Sequence, residues 1–296
     1  LIKLWRALRL HDCDGVIIFA GAGFSFYERV LMAGISRLHD VNSLLVIVDG
    51  WFLEIRTASV LKRRWIALLL RIPHKLTASG KRWVVFFQDF GVGSNHIVPI
   101  HYWLPASFVI SESHKTVAQD RPFRFIFAGW MIKEKGIYEL LDAIEELRKR
   151  YTFSFTFIGG GTLLAHVQEK IRKSNWTGSV SALGWVWSAS LQEVLSGSDV
   201  FVLPSHAEGF PLSLIEAFSR GLPAISTDVG GISDSLLDGV NGYLIPPKQV
   251  RALVDAMERY LMDPQIVGRH SLAALEIVRA NHGAEANCTL VLNALR

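Results

Sequence analysis

Along this 296-residue chain, short segments with the hydrophobic pattern of strands alternate with longer segments with the hydrophobic pattern of helices. Short apolar runs rich in β-branched and aromatic residues, such as Val16–Ala20 and Leu44–Val48, predict strands. Longer segments with apolar residues three and four positions apart predict helices packed on a sheet. The clearest of these helices starts at Gly136, and its apolar face consists of Ile137, Leu140, Leu141, Ile144 and Leu147. Strands that alternate with helices predict an α/β fold with parallel sheets.

The second half of the chain is the more regular. Its predicted strands are Phe123–Ala128, Phe153–Phe157, Ser179–Leu183, Val200–Leu203, Ala224–Thr227 and Tyr243–Ile245, with helices over Leu163–Lys173 and Leu191–Leu195 between them. The region around Trp83–Leu104 is less patterned. We take the polar stretch His114–Pro122 as a linker, which predicts one domain over residues 1–118 and a second over 119–296.

Composition narrows the function classes. Half of the residues are apolar and the mean hydropathy is +0.28, which is typical of a well-cored globular protein. A net charge of +4 favours anionic partners, but the chain has no zinc-finger spacing or RNA-binding motif, so we predict no nucleic-acid partner. Cys13 and Cys288 are isolated and the histidines lack the spacing of zinc ligands, which predicts a reducing cytoplasm and no metal site.

The strongest chemical pattern follows the predicted strand Val200–Leu203. Gly209 permits close approach of a ligand to the backbone, and Pro211 suits the first turn of a helix, whose N-terminal amides bind anions. Glu208 and Glu216 near these amides would repel phosphate but accept hydrogen bonds from hydroxyls, so a sugar and a ribose are the natural ligands. The alternative is a solvated loop glutamate and an exposed helix glutamate.

This stretch resembles the signature of family 4 glycosyltransferases, in which two glutamates are separated by seven residues. The resemblance runs from about Phe123 to Pro247 and includes the motifs Phe127–Gly136, Phe157–Gly161, Leu183–Val186, Ala224–Gly231 and Asn241–Leu244. It implies the GT-B fold, with two Rossmann-like domains built on parallel sheets. The N-terminal domain resembles only the later half of the family's acceptor domain, so it is incomplete. The chain begins at Leu1, and either the sequence is truncated or this domain is reduced.

The resemblance also implies roles for individual residues. Glu208 would contact the transferred sugar, Glu216 the ribose, and Lys135 the diphosphate, so Glu208 and Lys135 are the catalytic candidates. The remaining predicted donor-binding residues are Gly129, Gly159, Gly184, Gly209, Phe210, Pro211 and Leu212. Among these, Pro211 offers no amide hydrogen.

Three further positions bear on the donor site. Trp130 stands where the family usually has an arginine, which removes one phosphate cation unless Lys133 substitutes for it. Asp49 stands near a position that is often a functional histidine, where it would contact the donor sugar or cap a loop. His206 lies in the glutamate loop, as a packing residue or as part of the site.

The predicted reaction is transfer of a sugar from a UDP- or GDP-sugar to a glycan or lipid-linked acceptor, with retention of the anomeric configuration. The resemblance implies no divalent metal and no other cofactor. Three alternatives stay open: a nucleotide-sugar-binding pseudoenzyme, a membrane-peripheral scaffold, and a sugar-nucleotide epimerase of the same fold.

A basic segment from Leu61 to Leu76 carries a separate prediction. Its helical part, ending before Pro73, interleaves apolar residues with Lys62, Arg63, Arg64 and Arg71 around Trp65. Such a helix binds an anionic membrane surface from the cytoplasmic side. The alternative is a core-packed helix with a basic outer face.

Overall fold

The computed structural model describes residues 1–10, 13–21, 23–47, 55, 57–105, 108, 110–118 and 120–296. Backbone contacts divide the chain into two compact units. The first unit contains residues 1–102, 208–210 and 284–296, and the second contains residues 103–207 and 211–283.

The first unit is built on a parallel sheet of four described strands. They are β1 (Gly15–Ala20), β2 (Asn42–Ile47), β3 (Lys75–Ala78) and β4 (Ile97–Pro99), in the spatial order β1-β2-β3-β4. The helices are α1 (Ile2–Leu10), α2 (Phe24–Leu38), α3 (Val60–Leu69), α4 (Lys81–Asp89) and, from the end of the chain, α11 (Ala284–Leu295), with a 3-10 turn at Ser94–His96.

Helix α4 lies in the region that the sequence pattern left unassigned. Its side chains Trp83, Phe86 and Phe87 are buried and in mutual ring contact. Consecutive aromatic residues fit neither a strict helical nor a strict strand period, so the pattern gave no signal there.

The second unit is built on a parallel sheet of six strands. They are β5 (Phe123–Ala128), β6 (Phe153–Ile158), β7 (Val180–Ala182), β8 (Val200–Leu203), β9 (Ala224–Thr227) and β10 (Gly242–Ile245). The helices are α5 (Ile137–Leu147), α6 (Leu164–Lys173), α7 (Ser188–Ser196), α8 (Leu212–Ser219), α9 (Val250–Met262) and α10 (Ile266–Asn281), with 3-10 turns at Lys133–Lys135 and Ile232–Asp234.

Alternation and periodicity explain why these segments form this sheet. In β6 the side chains of Phe153, Phe155 and Phe157 are buried, whereas the intervening Ser154 and Thr156 are partly exposed. The predicted apolar face of α5 is buried, and the helix packs beside α9. The strands predicted in this half are confirmed within a residue or two at their ends. The α/β fold with two parallel sheets is confirmed as well.

The observed division differs from the linker predicted at His114–Pro122. Hydrogen bonds hold residues 111–115 to the second unit: Ser111 N–H donates to the Ser219 carbonyl, and Lys115 N–H donates to Ser271 Oγ. The C-terminal helix α11 belongs with the first unit, where the Asn42 side chain of β2 donates to the Leu295 carbonyl. A helix that returns to an earlier sheet leaves no local trace in the sequence. The predicted acceptor- and donor-binding roles of the two halves stay predictions.

Candidate functional site

The strand order of the second unit creates a ligand crevice. The order is β10-β9-β8-β5-β6-β7, so the chain runs from β5 outward through β6 in one direction and from β8 outward through β9 in the other. In doubly wound sheets, ligands bind at this reversal, outside the carboxyl ends of the two central strands. Gly129 directly follows β5, and Pro204 directly follows β8.

A cavity of about 370 Å³ lies beside these strand ends. Three of the predicted donor-binding residues line it, namely Gly129, Gly159 and Glu216. The remaining lining residues are Pro105, Phe108, Ala128, Ile158, Trp185, Val186, Trp187, Leu191 and Ser213. A largely apolar cavity with a few convergent polar groups is typical of a small-molecule site.

Backbone hydrogen bonds join the turns after β5, β6 and β7. Gly129 N–H donates to the Ile158 carbonyl at 3.0 Å, and Gly159 N–H donates to the Gly184 carbonyl at 2.7 Å. Gly159 has a φ of 122°, and a Cβ at this position would lie 1.9 Å from the Gly129 carbonyl oxygen. Only glycine fits there, so the floor of the cavity depends on this residue.

Glu216 and Ser213 reach the cavity from the first turns of α8. The helix begins at Leu212, as predicted, but Pro211 occupies the extended N-cap position before it and not the first turn. Burial raises the pKa of the Glu216 carboxyl above its ordinary value of 4.5. A half-buried carboxylate beside a helix N-terminus suits a neutral hydroxyl donor, because the helix amides serve the anionic part of a ligand.

Lys133 and Lys135 lie in the 3-10 turn that precedes α5, with Lys133 exposed and Lys135 half-buried. This turn packs against the loop that follows β8. Gly136 adopts a left-handed conformation, and a Cβ there would lie 2.1 Å from the Pro204 carbonyl oxygen. The His206 N–H donates to the Glu134 carbonyl at 2.7 Å. The backbone that carries the predicted diphosphate lysine is therefore fixed to the start of the glutamate loop.

Trp130 belongs to a cluster of three exposed tryptophans. Its ring contacts Trp185 edge to face at a centroid distance of 4.9 Å, and Trp185 stacks on Trp187 at 5.6 Å. Trp185 and Trp187 also line the cavity. The position where the family has an arginine thus holds an aromatic ring joined to the cavity wall.

Glu208, Gly209 and Phe210 belong to the first unit. Glu208 is buried, with 7% of its surface exposed. The Trp83 indole donates to the Gly209 carbonyl at 3.3 Å, and the Phe210 ring lies 5.7 Å from that of Tyr102. These contacts hold a segment of the predicted glutamate loop among aromatic side chains.

Other predicted residues lie elsewhere. Asp49 lies outside the described residues. Lys62, Arg63, Arg64 and Trp65 lie on α3, and Arg71 follows its end. Among the described residues, no group of three or more histidine, cysteine or carboxylate side chains is placed to hold a metal ion. In the same part of the chain, no helix combines the length and the apolar composition that crossing a membrane requires.

Sequence reasoning missed part of the cavity wall. Trp187 could have been found, because it follows a strand end by a few residues and an aromatic side chain there faces the ligand crevice. Pro105 and Phe108 had no such signal. Both residues precede the predicted linker and were therefore assigned to the first domain. The backbone contacts of the folded chain place them in the second unit.

Comparison with known proteins identifies a family that this chain matches and solved structures that share its fold. The model of the family described as glycosyl transferases group 1 matches residues 110–274. A putative teichuronic acid biosynthesis glycosyltransferase of Bacillus subtilis is 37% identical over 135 residues, which is 46% of this chain and 32% of that protein. A capsular polysaccharide biosynthesis glycosyltransferase of Staphylococcus aureus is 23% identical over 266 residues, which is 88% of this chain and 63% of that protein.

A solved structure of Anabaena Alr3699/HepE in complex with UDP shares the fold over nearly the whole chain. The TM-score is 0.79 at 16% identity, and the match covers 99% of this chain and 80% of that one. The match to the Bacillus relative, by contrast, spans only about a third of that relative's length.

Proposed function

This chain belongs to the glycosyl transferases group 1 family and has its GT-B fold, and from that premise we propose that it transfers a sugar from a nucleoside-diphosphate donor. The acceptor is a glycan or a lipid-linked acceptor, and the product belongs to polysaccharide or glycolipid synthesis in the cytoplasm. The similarity to the teichuronic acid and capsular polysaccharide enzymes supports this class of product.

The observation that carries the proposal is the Glu216 carboxylate in the cavity at the strand reversal. Trp185 and Trp187 line this cavity together with Ser213 and Glu216 of α8. In the proposal a nucleobase and ribose occupy it, with Glu216 accepting hydrogen bonds from ribose hydroxyls. The diphosphate lies toward the N-terminal amides of α8 and the turn that carries Lys135.

The chemistry follows from where charge develops. The bond between the sugar anomeric carbon and the diphosphate oxygen breaks, and the acceptor oxygen forms the new bond on the same face of the sugar. The leaving diphosphate gains negative charge, which Lys135 and the helix amides stabilise. Its phosphate oxygen takes the acceptor proton, so neither an enzymatic nucleophile nor a metal ion enters the step. Glu208 holds hydroxyls of the transferred sugar.

Calorimetric titration with UDP, GDP, UDP-sugars and GDP-mannose tests the donor site. We start with UDP, because the Anabaena protein was solved with it. We expect one nucleotide to bind and Glu216→Ala to weaken it at least tenfold, in line with about 1.4 kcal/mol for a lost hydrogen bond to a charged group. Glu193→Ala on the exposed side of α7 is the matched control. If no nucleotide binds, or both variants bind alike, this donor site is wrong.

Product analysis tests the finer claims. The anomeric configuration of the product, determined by NMR, must match that of the donor. Turnover must survive a chelator that strips divalent ions. A sugar nucleotide that is isomerised without acceptor would instead indicate an epimerase.

One observation favours a second function. Trp130 replaces a cation expected beside the leaving group, so a protein that binds donor without transferring it fits the same cavity. Such a protein would bind nucleotide in calorimetry and release neither free nor transferred sugar.

A further inference from the structure

Helix α3 has two apolar stripes that point in different directions. Ile66 within the helix and Leu70 at its end are fully buried in the core of the first unit. Leu61, Trp65 and Leu68 are instead 80%, 54% and 56% exposed. Their spacing of four and three residues puts them on one face of the helix, roughly opposite the buried pair. A helix that served only to cover the core would carry polar residues on that outer face.

Basic side chains border the exposed stripe. At 3.6 residues per turn, Arg64 lies on one side of the Leu61–Leu68 line and Lys62 on the other, and both are exposed. Two further cations lie nearby: the Arg63 guanidinium lies over the Phe90 ring, and Arg71 donates to the Gly91 carbonyl at 2.9 Å. Residues 60–71 include no aspartate or glutamate.

The helix packs on the core through Ile66 and Leu70, as the core-packed alternative predicts, but its outer face carries an apolar stripe in addition to the cations. This face combines aliphatic side chains, a tryptophan and flanking cations. These are the side-chain types that bind the successive chemical layers of an anionic bilayer surface. The apolar side chains enter the acyl boundary, the indole lies at the headgroup level, and the cations meet anionic headgroups. Ser59 accepts a hydrogen bond from Lys62 N–H and caps the helix, so the stripe is presented on a formed helix.

We propose that the outer face of α3, defined by Leu61, Trp65, Leu68, Lys62 and Arg64, docks the protein onto an anionic lipid bilayer. The stripe is only about 10 Å long at 1.5 Å per residue, so apolar insertion alone is weak. Binding therefore requires both the stripe and anionic headgroups. The inference does not rest on the transfer reaction, and a protein without transfer activity would dock in the same way.

Vesicle co-sedimentation of the full chain tests the proposal. We expect binding to vesicles of phosphatidylcholine mixed with phosphatidylglycerol, little binding to phosphatidylcholine alone, and release by salt. The triple variant Leu61→Ser/Trp65→Ser/Leu68→Ser should lose at least about tenfold in partition coefficient, given the apolar area removed. The double variant Lys62→Gln/Arg64→Gln should lose a similar factor on anionic vesicles.

Matched control variants distinguish binding through this face from binding through the overall charge or hydrophobicity of the protein surface. Val85→Ser removes another exposed apolar side chain of the first unit, and Lys81→Gln/Lys149→Gln removes the same charge from the start of α4 and from the turn after α5. Both controls should bind as the wild type does. The proposal is overturned if the wild type does not bind anionic vesicles, or if controls and stripe variants lose binding equally. It is also overturned if the stripe variants bind normally but change the oligomeric state in gel filtration, which would assign the face to a second copy.

Discussion

The imidazole of His206 and the carboxylate of Glu139 form a side-chain pair, with Nε2 2.9 Å from Oε1. His206 lies in the loop after β8, and Glu139 lies in the first turn of α5. The second carboxylate oxygen, Oε2, is buried and has no hydrogen-bond partner in the part of the chain that the structure describes. The Glu139 side chain therefore contacts His206 through one oxygen and leaves the other oxygen without a partner among the described residues. The pair ties the glutamate loop to the turn that carries Lys135.

Removal of the imidazole should be costly because it leaves the carboxylate without this partner. We expect His206→Ala to lower the free energy of unfolding by roughly 1–3 kcal/mol, measured by urea denaturation. The double variant His206→Ala/Glu139→Ala should be more stable than the sum of the single changes predicts, by about 0.5 kcal/mol or more. Additive effects would mean that the two side chains do not act as a pair. Weaker nucleotide binding by His206→Ala would link the pair to the donor site.

The sequence predicted those site residues that belong to local motifs, and it missed a contact between residues far apart in the chain. Gly129 and Gly159 each directly follow a strand, and Glu216 lies within α8 at the spacing from Glu208 that resembles the family 4 signature. All three line one cavity. The His206–Glu139 pair was not foreseen, because two residues so far apart in the chain meet only when β5 and β8 become neighbours. His206 itself was marked only by its place in the loop.

The same limit explains the division of the chain. The strands of the second unit were recognisable from short apolar runs bounded by glycine and polar residues. The return of α11 to the first sheet is a long-range contact. It joins Asn42 near the start of the chain to the carbonyl of Leu295 near its end. Local periodicity carries no information about which of two sheets such a helix covers.

Gly159 should tolerate no side chain. In Gly159→Ala the new Cβ would meet the Gly129 carbonyl oxygen at 1.9 Å, so the turns after β5 and β6 must separate. We expect a loss of at least about 2–3 kcal/mol in the free energy of unfolding, together with loss of nucleotide binding. Thermal denaturation and calorimetry measure the two effects.

Gly184→Ala is the matched control for that substitution. Gly184 has a φ of 72°, but nothing lies within 4 Å of the Cβ that would be added. This variant should therefore cost only about 1–2 kcal/mol from its left-handed backbone. If the two variants are equally stable, the close approach at Gly159 is not what fixes the cavity floor.

Trp130→Arg tests whether the missing cation limits turnover. Trp130 is 57% exposed, so its replacement should leave the core intact. In the proposed donor site, a guanidinium there would add a charge-assisted hydrogen bond to the leaving diphosphate, and we expect kcat to rise about tenfold. Trp187→Arg adds the same charge to the same aromatic cluster on the segment after β7 and should not raise kcat. A lower kcat in Trp130→Arg would show that the indole itself is required.

The raised pKa of Glu216 predicts a pH-dependent nucleotide affinity. Burial shifts this pKa upward, so protonation of the carboxyl begins at a higher pH than for an exposed glutamate. A protonated carboxyl is a poorer acceptor of hydrogen bonds from ribose hydroxyls than a carboxylate is. The nucleotide affinity should therefore fall on acidification, with the midpoint of the fall at a pH above 4.5. Calorimetry across the acidic range measures the midpoint. Glu216→Gln keeps a neutral acceptor, so its weaker affinity should not show this transition.

Lys115 is a half-buried cation near the start of the second unit, between Trp103 and β5. Its ammonium group donates to backbone carbonyls around the end of α7, namely those of Leu195, Ser196 and Ser198. Burial lowers the pKa of Lys115 from its ordinary value of 10.5 to about 8. The Asp199 carboxylate opposes that shift, whereas the Arg220 and Arg121 guanidinium groups add to it.

This depressed pKa predicts that stability rises with pH in the alkaline range. Between about pH 8 and pH 10.5 the unfolded chain binds more protons at this lysine than the folded chain does. The cost of burying the charged amine is therefore fully present below pH 8 and disappears as the pH rises through the window. Relative to Lys115→Met, which does not titrate, the wild type should gain roughly 3–4 kcal/mol across it, because the folded and unfolded pKa values differ by about 2.5 and each pKa unit is worth about 1.36 kcal/mol. Urea denaturation of both proteins at several pH values measures the difference, in which the contributions of other titrating groups cancel. A difference that stays constant with pH would show that Lys115 keeps its ordinary pKa in the folded protein.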